Sequence, residues 1–293
     1  YVIDFKGTDP RFAAYFLRNV LRNYQSEKAA VPGVDRNVLH QIKVRAPDRI
    51  VQERIVKILS TYDDLIENNR RRMALLEESA RRLFQEWFVC LRFPGHEQTR
   101  ITNGIPEGWE RRPLAKCAKF LSGGTPSKGR AEYWDGDIPW ISSGEMTELR
   151  LQDSSLRLTQ EGAEQGSRLV PANTILAVVR GMSLAKEFRL AIASKPVTFN
   201  QDLKALVCVP GVRPEYLFAA LVAQRDQIRD RAGEASHGTK KLDTPVLAAV
   251  SIMLPSERLQ RLYSDIVGPM NTLWDNCWTQ NQRLHAARDI LLP

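Results

Sequence analysis

The chain has 293 residues, 43% of them hydrophobic, with 42 basic against 34 acidic side chains and a formal charge of +8. This length and apolar content exclude a disordered segment and fit one large or two ordinary domains, and no apolar run approaches the roughly 20 residues that span a bilayer. The basic balance favours polyanionic partners without naming one.

The chain opens with YVIDFKGTDP, starting at Tyr1 and not at Met, as though inside a domain, so a preceding segment is expected. The stretch PRFAAYFL (Pro10 to Leu17) predicts an amphipathic helix. A polar loop follows, and then HQIKVRAP alternates apolar Ile42 and Val44 with polar neighbours, the period of a half-buried strand. Pro47 closes the strand and suits the start of a helix at about Asp48, where a missing N–H costs nothing. The whole passage recurs 208 positions later. Asp35, Val38, Leu39, Pro47 and Gln52 fall on Asp243, Val246, Leu247, Pro255 and Gln260, and Ile42 and Val44 fall on Val250 and Ile252. PRFAAYFL likewise returns as PEYLFAAL from Pro214. The unit is too large for a solenoid repeat and predicts the end of a domain followed by a helix, used twice.

From Ile50 to about Cys90 the chain has neither Pro nor Gly. Ile55, Leu59, Tyr62, Ile66, Asn69, Met73, Leu76, Ala80, Leu83 and Trp87 alternate four and three apart, which is a heptad seam. A single stripe needs a partner, and the second copy offers one in Tyr263, Val267, Met270, Trp274, Cys277, Leu284 and Leu291. Asn281 and Arg288 interrupt that seam, and Gly268–Pro269 is expected to kink it. The two helices are expected to pair antiparallel, with Asn69 as a polar register-setting position. The aromatics of FQEWF, namely Phe84, Trp87 and Phe88, are expected to be exposed as a subunit interface.

RFPGHEQTRITNGIPEGWE carries two prolines and three glycines and serves as a linker into a second domain. There DIPWIS, TILAVV, LAIASKPVTF and LKALVCV predict strands separated by turns. The fold class is therefore α+β, with 1–47 as the tail of a first domain, 48–92 a long helix, 93–108 a linker, 109–255 a second domain and 256–293 a second long helix.

Four loops of that domain carry residues suited to nucleic acid. SGGTPSKGR offers Ser127, Lys128 and Arg130 and backbone N–H groups for a phosphate, although it does not match the P-loop pattern. RGMSLAK adds Arg180 and Lys186, FNQD adds Asn200 and Gln201, and ASHGTKK adds Ser236, His237, Thr239, Lys240 and Lys241. Asn, Gln and Arg can hold a base edge with paired hydrogen bonds, whereas Lys chiefly neutralises phosphate. A polar turn alone would look similar, and it is the accumulation in one basic chain that points to DNA. Catalytic patterns are lacking. Cys90, Cys117, Cys208 and Cys277 form no C-x-x-C pair, and His40, His96, His237 and His285 stand at neither ligand nor triad spacing. Asp48, Glu53 and Lys57 superficially resemble a nuclease set, but their helix is already explained by its seam. No catalytic or metal-binding residues are assigned, and a reducing cytoplasm is the expected compartment.

In IPEGWERRPLAKCAKFLSGGTPSK, DIPWISSGEM, LVPANTILAVVRG, FNQDLKAL and the two proline-to-helix passages, the sequence resembles the DNA specificity subunits of Type I restriction-modification systems. The resemblance runs over nearly the whole chain. It implies target recognition domains, each followed by a long helix, with the helices paired antiparallel as a spacer. It also implies a non-catalytic reader of a bipartite double-stranded DNA target that docks two methyltransferase subunits, with a restriction and translocase subunit joining later. S-adenosylmethionine would sit on the methyltransferase, and this chain would hold no cofactor. The first recognition domain is represented only by its tail. The alternative is the reading part of a single-chain methyltransferase or nuclease whose catalytic region lies upstream.

Overall fold

The computed structural model describes residues 7–20, 45–235 and 239–292. These form two compact units, Tyr1–Leu75 with Asn276–Pro293, and Leu76–Asp275. Helix α1 is Pro10–Val20, and α2 is Arg49–Phe84, which runs on into a π-helical turn at Gln85–Val89. In the second half, α3 is Pro214–Ala223 and α4 is Glu257–Ile290. The predicted strand with Ile42 and Val44, together with Asp35, Val38, Leu39 and His40, lies outside the described residues. Its second-copy counterpart is the strand Ser251–Leu254, preceded by a short helix at Thr244–Ala248.

Short polar side chains start α1, α2 and α4 by accepting free N–H groups of the first turn. Asp9 Oδ1 takes the amides of Arg11 and Phe12 at 2.8 and 3.1 Å. Asp48 Oδ1 takes that of Val51 at 2.9 Å, and Ser256 Oγ, 208 positions on, takes that of Leu259 at 3.4 Å.

In the first unit, Phe12 and Tyr15 of α1 pack with Val56 and Leu59 of α2. The α2 segment there lies antiparallel to the end of α4. Asn69 Nδ2 donates to Asn281 Oδ1 at 3.0 Å, and six residues earlier in α2 Asp63 meets Arg288 at 2.6 Å, seven residues later in α4. Asn281 and Arg288 therefore continue the seam, each buried against a polar partner. Tyr15 also donates to Asp63 at 2.6 Å. Burial pushes the Asp63 carboxyl up, but the hydrogen bonds from Tyr15 and Arg288 and the guanidinium charge outweigh it and hold it below its ordinary value. Burial, and then the bond to Asp63, push Tyr15 up to about 12.

The second unit repeats the antiparallel pairing. Trp274 Nε1 donates to Glu77 at 2.8 Å, and Tyr263 donates to the Ala80 carbonyl at 3.2 Å. Pro269 is accommodated inside a helix that continues to Ile290. Five strands form the main sheet: β1 Ala118–Ser122, β2 Arg150–Leu151, β3 Ile175–Val178, β4 Leu190–Ala193 and β5 Leu203–Cys208. Their spatial order is β1-β5-β3-β4-β2, antiparallel except for the last pair. Both faces are buried, and strand alternation divides them. Ile175, Ala177, Leu190, Ile192 and Leu206 face a core shared with α3 and the long helices, while Leu176, Val178, Ala191, Ala193 and Ala205 face Ile141 and Phe199. Three of the four predicted strand segments each hold one strand, whereas LAIASKPVTF holds two, Leu190–Ala193 and Thr198–Phe199, in different sheets.

The expectation that Phe84, Trp87 and Phe88 lie exposed is corrected. All three are buried in the core beside Tyr216, Tyr263 and Trp109, with the Phe88 and Tyr216 rings 4.8 Å apart and edge-on. The π-helical turn is wider than an α-turn, so Trp87 and Phe88, adjacent in sequence, both reach the core.

Candidate nucleic-acid interface

The strand registers bring the predicted loops together. Ser122 at the end of β1 pairs with Lys204, and Leu203 at the start of β5 pairs with Val178 at the end of β3. Leu190, which opens β4, lies opposite Ala177. The loops holding residues 123–133, 179–189 and 199–202 therefore leave the same end of one sheet, although they are up to about 80 residues apart in sequence. At the other end Asp275 of α4 accepts from Arg150 Nε and Nη2, at 3.0 and 2.8 Å, and from the Ser194 hydroxyl at 2.8 Å, which fastens β2 and β4 to the long helix.

The first loop is held rigidly. Gly124 N donates to the Phe199 carbonyl at 2.9 Å, Trp140 Nε1 donates to the Gly124 carbonyl at 2.9 Å, and Trp134 Nε1 donates to the Ser127 carbonyl at 3.1 Å. A Cβ at Gly123 would stand 2.1 Å from the Phe199 carbonyl, and one at Gly124 would stand 2.5 Å from that of Gly166. These glycines thus serve close backbone approach. The expectation that the loop turns its N–H groups to a phosphate is corrected for Gly124, whose amide is spent inside the fold. What the loop exposes is Ser127, Lys128 and Arg130. Arg130 donates to the Tyr133 hydroxyl at 2.7 Å, with its guanidinium 5.3 Å from that ring's centre, so the fork is oriented before any ligand arrives.

Arg180 and Lys241 are direct cross-strand neighbours in a small sheet of Arg180–Gly181, Lys240–Lys241 and Gly233–Glu234, and Thr239 pairs through its carbonyl with the Ala235 amide at 2.9 Å. Like charges placed opposite each other repel. Acidic neighbours offset this in part, Glu234 at 3.7 Å from Lys240 and Asp243 at 2.5 Å from Lys241. Lys186 is exposed, and its carbonyl is tied to Arg229 at 3.3 Å. Ser236 and His237 lie outside the described residues.

The FNQD pair divides. Gln201 is exposed and accepts from Thr125 at 2.6 Å, which links its turn to the glycine loop. Asn200 is only 6% exposed and closes its own turn, accepting from the Asp202 amide at 3.2 Å. It shapes the loop from inside. Sequence reading missed Lys204, whose Nζ reaches Ser122 Oγ at 2.6 Å beside the same loops. As a lone cation near the start of the apolar run LKALVCV, at the sheet end that the loops leave, it stands out from its neighbours, and that was its available signal.

Among the described residues no cluster of three or more His, Cys, Asp or Glu side chains is arranged to hold a metal ion, and no helix is long and apolar enough to cross a membrane.

The chain matches the profile of the Type I restriction modification DNA specificity domain over residues 1–78 and 106–272. It is 31% identical over 166 residues to the Type I restriction enzyme EcoR124I/EcoR124II specificity subunit of Escherichia coli, covering 56% of this chain but only 41% of that relative. The HindI specificity subunit of Haemophilus influenzae aligns over 333 residues at 21% identity, 92% of this chain and 71% of its own length. Among solved structures, the Type I restriction-modification S subunit from M. genitalium superposes with a TM-score of 0.57 at 17% identity, covering 99% of this chain and 73% of that one, a likeness of fold.

Proposed function

Given that the chain belongs to the Type I restriction modification DNA specificity family, we propose that it is a non-catalytic specificity subunit that reads double-stranded DNA and scaffolds methyltransferase subunits. The observation that carries this reading is the gathering of separate basic and polar loops at one end of the second unit's sheet. Lys128, Arg180, Lys186, Lys240 and Lys241 would neutralise phosphates and set the register of the duplex, while Gln201 and the Arg130 fork would reach base edges. The preorganised glycine loop lowers the ordering cost of binding.

Two methyltransferase copies are favoured by a second repeated feature. Ile58 and Leu65 form an exposed apolar stripe on α2, and Ile266 and Leu273, the same residue types 208 positions on, form one on α4. Identical stripes on duplicated helices fit two copies of one partner. S-adenosylmethionine would belong to that partner, a restriction and translocase subunit would join the assembly, and the cytoplasm is its expected compartment.

The test is selection from a duplex pool with a randomised window, using this chain in complex with its methyltransferase at physiological salt. Enrichment of one motif, with loss of binding when it is scrambled, is the expected result; equal binding of scrambled duplexes overturns the proposal.

A further inference from the structure

We propose that Gln52 and Gln260 are paired positioning residues, each locking the turn that enters a helix of the preceding domain, α1 or α3, to the first turn of the long helix that follows. Gln260 is 1% exposed. Its Oε1 accepts from the Arg213 amide at 3.0 Å, immediately before α3, and its Nε2 donates to the Pro255 carbonyl at 3.0 Å and the Gly211 carbonyl at 3.3 Å. One side chain thus ties the turn entering α3, the residue ending the strand Ser251–Leu254, and the first turn of α4.

The first copy repeats the arrangement independently. Gln52 is 5% exposed, its Oε1 accepts from the Asp9 amide at 2.9 Å just before α1, and its Nε2 donates to the Pro47 carbonyl at 2.8 Å. The turns match as well, with Gly7 at φ 85° and Gly211 at φ 84°. Elsewhere the copies have diverged. The Gly7 carbonyl is met by Arg49 Nη1 at 3.3 Å, where in the second copy Gln260 itself serves Gly211. The glutamine and its two backbone bonds are what both retain.

Chemistry explains the residue type. A part-buried amide N–H and a proline carbonyl outside the helical ladder must both be satisfied, because a polar group left bare away from water is destabilising. Among side chains of this length only the carboxamide offers a donor and an acceptor on one rigid plane. Being uncharged, it forms a joint indifferent to salt. This role rests on the proposed DNA reading for its purpose, since a fixed joint sets how the reading end is held against the spacer helix.

Pulsed electron-spin distance measurements test it without DNA. Labels are placed at Lys119→Cys on β1 and Arg261→Cys on α4, both exposed, with exposed Cys90→Ser. The native joint should give one narrow distance distribution. Gln260→Met, which removes donor and acceptor, should broaden it about twofold, and Gln260→Glu, which keeps the acceptor, should fall between. Gln52→Met, read between Ala14→Cys on α1 and Lys57→Cys on α2, repeats the test in the other copy and decides the matter if Gln260→Met does not fold. Unchanged widths in folded variants, even with lowered melting temperatures, overturn the proposal, because a purely stabilising side chain would give that result. Absence of sequence-selective binding by the parent chain, whose distance distribution is narrow, would instead count against the DNA reading alone.

Discussion

Asp63 shows what single side chains contribute. Its carboxyl is held below the ordinary value in the folded protein, so its stabilisation is complete above about pH 4 and disappears as pH falls through the lowered value. Tyr15 runs the other way, since its raised value means that its contribution is complete below about pH 10 and is lost as pH rises through about 12. Asp63→Asn keeps an acceptor for Tyr15 but removes the charge facing Arg288, whose side chain is 9% exposed. Because Arg288 retains Asp289 at 2.8 Å and Asp63 is partly solvated, the expected loss is about 1–2 kcal/mol in urea unfolding at pH 7, shrinking in acid. Gly124→Ala makes a sharper point. Its Cβ would collide with the Gly166 carbonyl, so the loop must shift while both faces of the sheet remain packed. The variant should melt within a few degrees of the parent yet bind duplex DNA roughly tenfold more weakly in a titration.

At the scale of elements, the long helices owe their pairing to a seam that includes buried polar positions. Replacing both Asn69 and Asn281 with Leu should raise the urea midpoint while loosening register, visible as cysteine cross-links forming at more than one offset along the first unit's helices. The outer stripes answer a different question. Leu65→Asp and Leu273→Asp should each lower the methyltransferase copies bound per chain from two to one in mass photometry, and the double variant should bind none. The heptad spacing made these helices, their antiparallel partnership and the role of Asn69 legible in sequence. The separate reading of FQEWF as an exposed patch misassigned Phe84, Trp87 and Phe88, because a π-helical turn leaves no periodic signature and hydrophobicity alone does not distinguish a core from an interface.

For the whole molecule, charge and its placement are separate properties. The net charge of +8 is set by composition, but the salt dependence of DNA binding depends on how many cations reach phosphate. Lys128→Ala and Arg180→Ala should each reduce the slope of log affinity against log salt by about 0.9, weakening all sequences alike, whereas Gln201→Ala should leave the slope unchanged and relax the preferred motif. The sequence by itself determined the duplication, the two long helices, the strands of the second domain and the family, because periodicity, proline placement and self-similarity are properties of neighbours along the chain. Only the tertiary structure decided that loops far apart in sequence share one sheet end, that Asn200 turns inward while Gln201 stays out, and that Gln52 and Gln260 join a helix to the domain before it. Those facts depend on strand register and on which backbone groups burial leaves in need of a partner, and neither is written in any local stretch of residues.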